Sequence, residues 1–282
     1  AKAILYEIEA KDTTKPIVLL AHGMGGCSES GYIKRIATKL WMRGFGVFLI
    51  NQPGCGPGMG LSSRMWHGGS SDDLARMLEF VIQRNPEKSL LPVGFSLSGN
   101  VLLKYLGESR NIPDNVLGAF AVNPPVDLRI ASEIISRKWS CAVFNKYYMK
   151  LIRNQAVALV DRFPSALSPL KNLKTIWDFD VSYTAPAGGF KDVDDYYDRC
   201  SSRHFLQEIK IPTTILSAHD DPFVPGKLFD QIAMSEKVIL LKPEQGGHMG
   251  YISRHATPHG DRRWMDYAVL EWVADWQNSG NK

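Results

Sequence analysis

Ser96, the carboxylate pair Asp220-Asp221 and the glycine-flanked His248 stand in this chain in an order that suits nucleophilic catalysis. A serine hydroxyl is a weak nucleophile near neutral pH. It needs a base within hydrogen-bond reach, and the base needs a carboxylate to hold its tautomer. Ser96 follows the apolar run Leu91-Pro92-Val93-Gly94-Phe95 and precedes the helix-capable Leu97-Ser98-Gly99-Asn100-Val101-Leu102-Leu103. That is the layout of a nucleophile elbow, a sharp strand-to-helix turn that holds a serine strained and exposed. Small residues are needed two places to either side, because the strand and helix backbones nearly touch there. Gly94 and Ser98 fill those places. Taken alone, the motif is equally an ordinary strand–loop–helix connection, so its partners decide.

Those partners are present. Asp220-Asp221-Pro222-Phe223-Val224-Pro225 follows one strand-like run, and Gly246-Gly247-His248-Met249-Gly250 follows the next. This is the order nucleophile, acid, base, with each group where a strand ends. His248 is the expected base. Asp221 is the expected acid, in a D-x-x-V-P-like frame, while Asp220 points elsewhere and caps its turn. Acyl transfer passes through a tetrahedral oxyanion that two backbone N–H groups would stabilise. One is expected from Leu97, next to the nucleophile. The other is expected from Met24, in the early loop His22-Gly23-Met24-Gly25-Gly26, with Gly25 as the alternative. His22 reads as support for that loop and His219 as a surface residue. His204, His255 and His259 read as solvated loops or caps.

Two other motifs carry less. The loop Asn51-Gln52-Pro53-Gly54-Cys55-Gly56-Pro57-Gly58-Met59-Gly60 lacks the G-x-G-x-x-G spacing and a suitable downstream acid, so no dinucleotide and no other cofactor is expected. His67 and Asp72 have the H-x-x-x-x-D spacing of some acyltransferases. Ser71 and Asp72 read better as the start of a helix, with His67 ending the loop before it.

The elements that would position these groups alternate in type. Strands are expected at Ala3 to Ile8 (an edge), Ile17 to Ala21, Val47 to Ile50, Leu117 to Val122, Thr213 to Ala218 and Val238 to Leu241, besides the run before Ser96. Helices are expected around Ile33–Trp41, Leu74–Val81 and Met265–Trp276. The pattern predicts an α/β fold with a mostly parallel, doubly wound sheet. From about residue 126 to 209 the alternation stops and helices and loops take over, which predicts a helical cap inserted over the carboxyl ends of the strands. Val143, Phe144, Tyr147, Tyr148 and Leu151 form an apolar stripe there, expected mainly to pack as core.

The chain has 282 residues, 44% of them apolar, and a formal charge of +4 spread along its length. One domain over residues 1–282 is expected, and no nucleic-acid partner, since no basic run is present. Cys27, Cys55, Cys141 and Cys200 have neither CxxC spacing nor a histidine pair beside them, so no metal site and no disulfide framework is expected. Free thiols suit a reducing compartment and a cytoplasmic location. No apolar run is long enough to span a bilayer, and no leader is visible. The chain opens almost directly on a strand, so the last point carries little weight.

The same residues resemble a known family. His22-Gly23, Asn51 with Gly54-Cys55-Gly56, His67 with Gly69 and Asp73, Gly94-Phe95-Ser96-Leu97, Asn123 to Leu128, Phe179-Asp180, Gly189-Phe190 with Tyr196-Tyr197, Asp220 to Phe223 and Gly247-His248 are similar to the YheT-like branch of the α/β-hydrolases, from about residue 15 to the C-terminus. That branch also holds plant embryogenesis-associated proteins and mammalian abhydrolase-domain lipases. The resemblance implies a serine esterase, lipase or acyltransferase acting on short- to medium-chain acyl groups without a cofactor. Ser98 stands where the family usually has glycine, and Pro53 where arginine is usual. The resulting expectation is hydrolysis of a small-molecule acyl ester or lipid through an acyl-enzyme on Ser96. The alternatives are acyl transfer to an alcohol and a catalytically dead binding module on the same fold. Oligomeric state is left open.

Overall fold

The computed structural model describes residues 2–166 and 173–279. Its frame is a seven-stranded sheet in the order β1-β3-β2-β4-β5-β6-β7. The strands are β1 (Ile4–Ile8), β2 (Ile17–Ala21), β3 (Gly46–Asn51), β4 (Leu90–Phe95), β5 (Ala119–Val122), β6 (Thr213–Leu216) and β7 (Val238–Leu241). Only β1 runs antiparallel, against β3, and the other five pairings are parallel. β2 to β5 are buried along their whole length, which is why their sequences are continuous apolar runs rather than alternating ones. Pro92 sits inside the central β4, where a proline has no N–H for the ladder. The ladder toward β5 is broken at that point: Leu90 bridges Val116, and regular pairing resumes at Val93↔Phe120.

Helices α1 (Gly31–Met42), α2 (Ser71–Arg84) and α3 (Leu97–Gly107) follow β2, β3 and β4. Between β5 and β6 the chain forms α4 (Leu128–Arg137), α5 (Ala142–Arg162), α6 (Ile176–Phe179), a wide turn at Asp180–Thr184, α7 (Ala185–Ala187) and α8 (Val193–Cys200). The C-terminal α9 (Trp264–Ser279) packs on α1. Arg35 and Lys39 of α1 clamp it through the fully buried Asp266 carboxylate, at 2.6 and 2.7 Å.

Two apolar clusters cover the two faces of the sheet. A third joins Ala131 and Ile135 of α4, Met149, Ile152, Ala156 and Leu159 of α5, and Ile176 and Phe179 to Phe223 and Val224 of the loop after β6. The expected apolar stripe on α5 serves as core only in part: Tyr148 packs on this third cluster, and Phe144 and Tyr148 both meet Phe223. Val143 is 78% exposed and Tyr147 58% exposed. α5 instead turns inward the face carrying Met149, Ile152, Ala156 and Leu159, which have the three-to-four spacing of a buried helical face. With apolar residues on both sides of a helix of 21 residues, periodicity alone does not choose between them. Among the described residues no helix is long and apolar enough to cross a membrane.

Candidate active site

Ser96 stands between the end of β4 and the first residue of α3, with φ 51° and ψ −120°. A positive φ on a residue with a Cβ costs about 1–3 kcal/mol and persists only where its surroundings enforce it. Here the Ser96 N–H donates to the Val122 carbonyl at 2.7 Å, and the Ser96 carbonyl accepts from the Gly99 N–H at 2.8 Å. Gly94 makes the turn sterically feasible. A Cβ at that position would lie 2.6 Å from the Ser98 carbonyl oxygen and 2.9 Å from the Gly99 Cα. Gly99, rather than residue 98, therefore supplies the Cα that packs on Gly94. The Ser98 side chain points away from the strand and donates to the His22 carbonyl at 2.5 Å, which explains how serine is accommodated there. Gly94→Ala is expected to cost about 1–3 kcal/mol of stability by overpacking and to slow fluorophosphonate labelling of the serine. A thermal melt and labelling rate equal to the parent's would refute the crowding.

The loops after β6 and β7 bring the two other groups to Ser96. The Ser96 Oγ lies 3.0 Å from His248 Nε2, and His248 Nδ1 lies 2.7 Å from Asp221 Oδ2. The His248 and Asp221 side chains are 3% and 0% exposed, so the pair is shielded from water. Asp221 Oδ1 accepts the Phe223 and Val224 N–H groups at 3.1 and 2.9 Å. Burial alone would raise the Asp221 carboxyl. Attraction to His248, the hydrogen bond with it and the two backbone donors outweigh burial and hold the carboxyl below its ordinary value. The neighbouring Asp220 is exposed and caps not its own turn but the histidine loop: its Oδ1 accepts the Gly246 and Gly247 N–H groups at 2.8 and 2.7 Å.

Asn123 was not singled out as a site residue by its chemistry, yet it holds the acid from above. At φ 44°, just past β5, its Nδ2 donates to Asp221 Oδ2 at 2.6 Å and its Oδ1 accepts from the Tyr251 hydroxyl at 2.6 Å. Besides its place in the family resemblance, its position at the tip of a central strand, before a double proline, is the signal the sequence carries for it.

In the loop after β2, the Gly23 N–H donates to the Tyr32 hydroxyl at 3.0 Å and the Gly26 N–H to the Gly23 carbonyl at 3.1 Å. Met24 and Gly25 line the same cavity as Ser96 and Leu97. Leu97 opens α3, so its amide has no intrahelical acceptor. His22 supports this loop from beneath. Its Nδ1 donates to the Gly23 carbonyl at 2.8 Å while its Nε2 accepts the Gln52 N–H at 3.2 Å. Acceptance at Nε2 requires the neutral ring, and burial pushes its pKa down to about 4.

The cavity above Ser96 is narrow, with room for about 90 Å³ of water-sized occupants, and opens to solvent. Leu128, Ala131, Ile135, Ile152, Ile176 and Phe179 give it apolar walls, and Ser132, Asp180, Thr184 and Tyr197 are polar members of the lining. His67 also lines it instead of merely closing a loop. Its Nδ1 accepts the Gly69 N–H at 3.1 Å and its ring meets Tyr196 edge-on. Asp72, its partner in the H-x-x-x-x-D spacing, bonds Arg110 at 3.0 Å at the exposed start of α2. His219, His204 and His255 are exposed, and His259 pairs with Glu271 at 2.8 Å.

The chain is similar to known proteins. A family model described as the alpha/beta hydrolase fold matches residues 16–254. Monoacylglycerol lipase of Saccharomyces cerevisiae is 28% identical over 264 residues, covering 90% of this chain and 58% of that protein. YheT of Escherichia coli is 28% identical over 273 residues, covering 95% of this chain and 79% of that protein. The chain thus spans less than two thirds of the yeast lipase. Among solved structures, a monoacylglycerol lipase of Paleococcus ferrophilus superposes with a TM-score of 0.55 at 18% identity, covering 98% of this chain and 99% of that one. At that identity the likeness speaks for the fold alone. A parallel sheet with a serine elbow after β4, an acid after β6 and a histidine after β7, together with a match over most of its length, makes this chain a member of the alpha/beta hydrolase family.

Proposed function

We propose that the protein hydrolyses carboxylic esters of short- to medium-chain acyl groups through an acyl-enzyme on Ser96. The observation that carries this reading is the continuous Ser96–His248–Asp221 relay, at 3.0 and 2.7 Å, opening on a largely apolar cavity. His248 Nε2 takes the hydroxyl proton as Ser96 Oγ attacks the ester carbonyl. Asp221 holds the proton on Nδ1 and stabilises the imidazolium that forms. The oxyanion is bound by the Leu97 and Met24 N–H groups. Use of the Gly23 and Gly26 amides elsewhere supports Met24, with Gly25 beside it. His248 then protonates the departing alkoxide. A water attacks the acyl-enzyme by the same route, releasing the acid and restoring Ser96.

The reading includes one domain whose helical segment 126–209 serves as a cap contributing the cavity walls; its residues 167–172 lie outside those described. It also includes a small-molecule acyl ester or lipid as substrate. The test is fluorophosphonate labelling with the adduct mapped by peptide mass, followed by kinetics on p-nitrophenyl esters of increasing chain length. Each methylene well buried contributes about 0.8 kcal/mol, roughly a fourfold gain in kcat/KM where the transition state keeps the contact. Medium chains are therefore expected to outrun acetate by more than tenfold. A monotonic fall from acetate onward would reject an extended acyl pocket.

A further inference from the structure

The apolar wall of the cavity holds a polar group that hydrolysis does not use. Asp180 is 8% exposed, sits directly after Phe179 and lines the cavity with Ser132, Thr184 and Tyr197. Among the described residues no lysine, arginine or histidine neutralises it. Its hydrogen bonds come from the Tyr197 hydroxyl, at 2.9 Å, and from Thr184, and burial pushes its pKa up to about 7. The Tyr197 oxygen also lies 2.7 Å from Ser132 Oγ. One phenolic proton cannot serve both neighbours, so Ser132 or a protonated Asp180 must donate to it. A carboxyl offers about four acceptor positions, and these bonds fill two. A buried carboxyl with no cation and spare hydrogen-bonding capacity is costly in an apolar wall unless a ligand completes it. For a plain alkyl chain, a leucine would serve better at this place.

We infer that Asp180 and Ser132 form a recognition point for a hydroxyl group on the acyl chain, so that hydroxylated acyl esters are preferred substrates. This rests on the reading of Ser96 as nucleophile. The hydroxyl is assigned to the acyl side because Ser132 and Asp180 alternate along the chain with Ala131, Ile135 and Phe179, which form the apolar wall. A hydroxyl can donate to the carboxyl or to Ser132 Oγ and, where a protonated Asp180 donates to Tyr197, accept from Ser132 at once. An ammonium can only donate, and would enter an apolar wall at a high desolvation cost.

The test compares p-nitrophenyl esters of one medium-chain acid, plain and with a single hydroxyl moved stepwise along the chain. At one position the hydroxylated ester is expected to exceed the plain one in kcat/KM by about tenfold, the value of one well-made hydrogen bond. That ratio should fall to near one in both Asp180→Leu and Ser132→Ala. Ser132→Ala, a one-atom deletion, keeps the test intact if Asp180→Leu does not fold. A ratio of one or less at every position, or an unchanged ratio in folded variants, overturns the inference. So does a larger gain for an amine-bearing chain, or a gain seen only when glycerol replaces ethanol as the alcohol. If Ser96 resists fluorophosphonate and plain esters are not turned over, the nucleophile reading fails instead. The hydroxyl point is then judged by whether the free hydroxy acid raises the melting temperature more than the plain acid does.

Discussion

Ser96→Ala is expected to fold normally, to lose ester turnover by roughly a million-fold, the loss seen when a serine protease is deprived of its nucleophile, and to take up no fluorophosphonate. The variant should fold because the elbow is built by its neighbours. The strained φ of 51° already accommodates a Cβ, and the turn is held by backbone bonds to Val122 and from Gly99. Among the described residues, the side-chain hydrogen bond lost is the one to His248 Nε2, at 3.0 Å. That removal costs about 1 kcal/mol, leaving a melting temperature close to the parent's. The catalytic loss is large because, among the described residues, no other hydroxyl is bonded to the base. Labelling and turnover persisting in the folded variant would end the serine-hydrolase reading.

Asp221→Asn ranks second in expected effect, with a loss of about ten-thousand-fold in kcat/KM, as for the corresponding change in a serine protease. The surrounding donors dictate how the new amide must lie. Its oxygen has to stay where Asp221 Oδ1 accepts the Phe223 and Val224 N–H groups. Its NH₂ is then forced toward His248 Nδ1 and toward the Asn123 amide, which is itself a donor. Nδ1 must accept, so the proton sits on Nε2, and the ring can no longer take one from Ser96. Asp220→Asn should behave differently. A side-chain carbonyl remains to accept the Gly246 and Gly247 N–H groups, so kcat/KM is expected to stay within about tenfold of the parent. Steady-state kinetics on both variants, with circular dichroism to establish folding, distinguish them, and the opposite ranking would transfer the acid role to Asp220.

Groups fixed by local chain direction were legible in the sequence. Parallel strands buried on both faces leave uninterrupted apolar runs, so β2 was readable to the residue and β5 and β6 to within two. The edge strand β7 was readable to the residue although Ile239 and Leu241 are exposed, because its run is short, apolar and bounded by polar residues. The nucleophile, acid and base were legible because each sits where such a run stops. What depended on packing between distant segments was not. α5 carries apolar residues on two sides, and only contact with α4 and α6 decides which one turns inward. The role of Asn123 arises from a partner at position 221, and that of Asp180 from the convergence of α4, α8 and the wide turn after α6. His67 read as a loop end because nothing in its neighbourhood announces Phe190 and Tyr196. The expected cap of Asp220 on its own turn failed for the same reason, since its partners lie 26 and 27 residues away.

Ser98 ties three loops together: its hydroxyl donates to the His22 carbonyl and receives the Gln52 side-chain amide at 3.3 Å, all within the buried floor of the site. Each of the two side chains is half of an arrangement that makes sense only with the other. A glycine at 98 would strand the amide of Gln52, which is 1% exposed, and an apolar residue at 52 would leave the serine with one partner fewer. In evolutionary terms the two positions form a linked pair. Lineages that replace the serine by glycine should be found to have changed position 52 as well, and in the laboratory the double substitution should cost less than the sum of the two single ones.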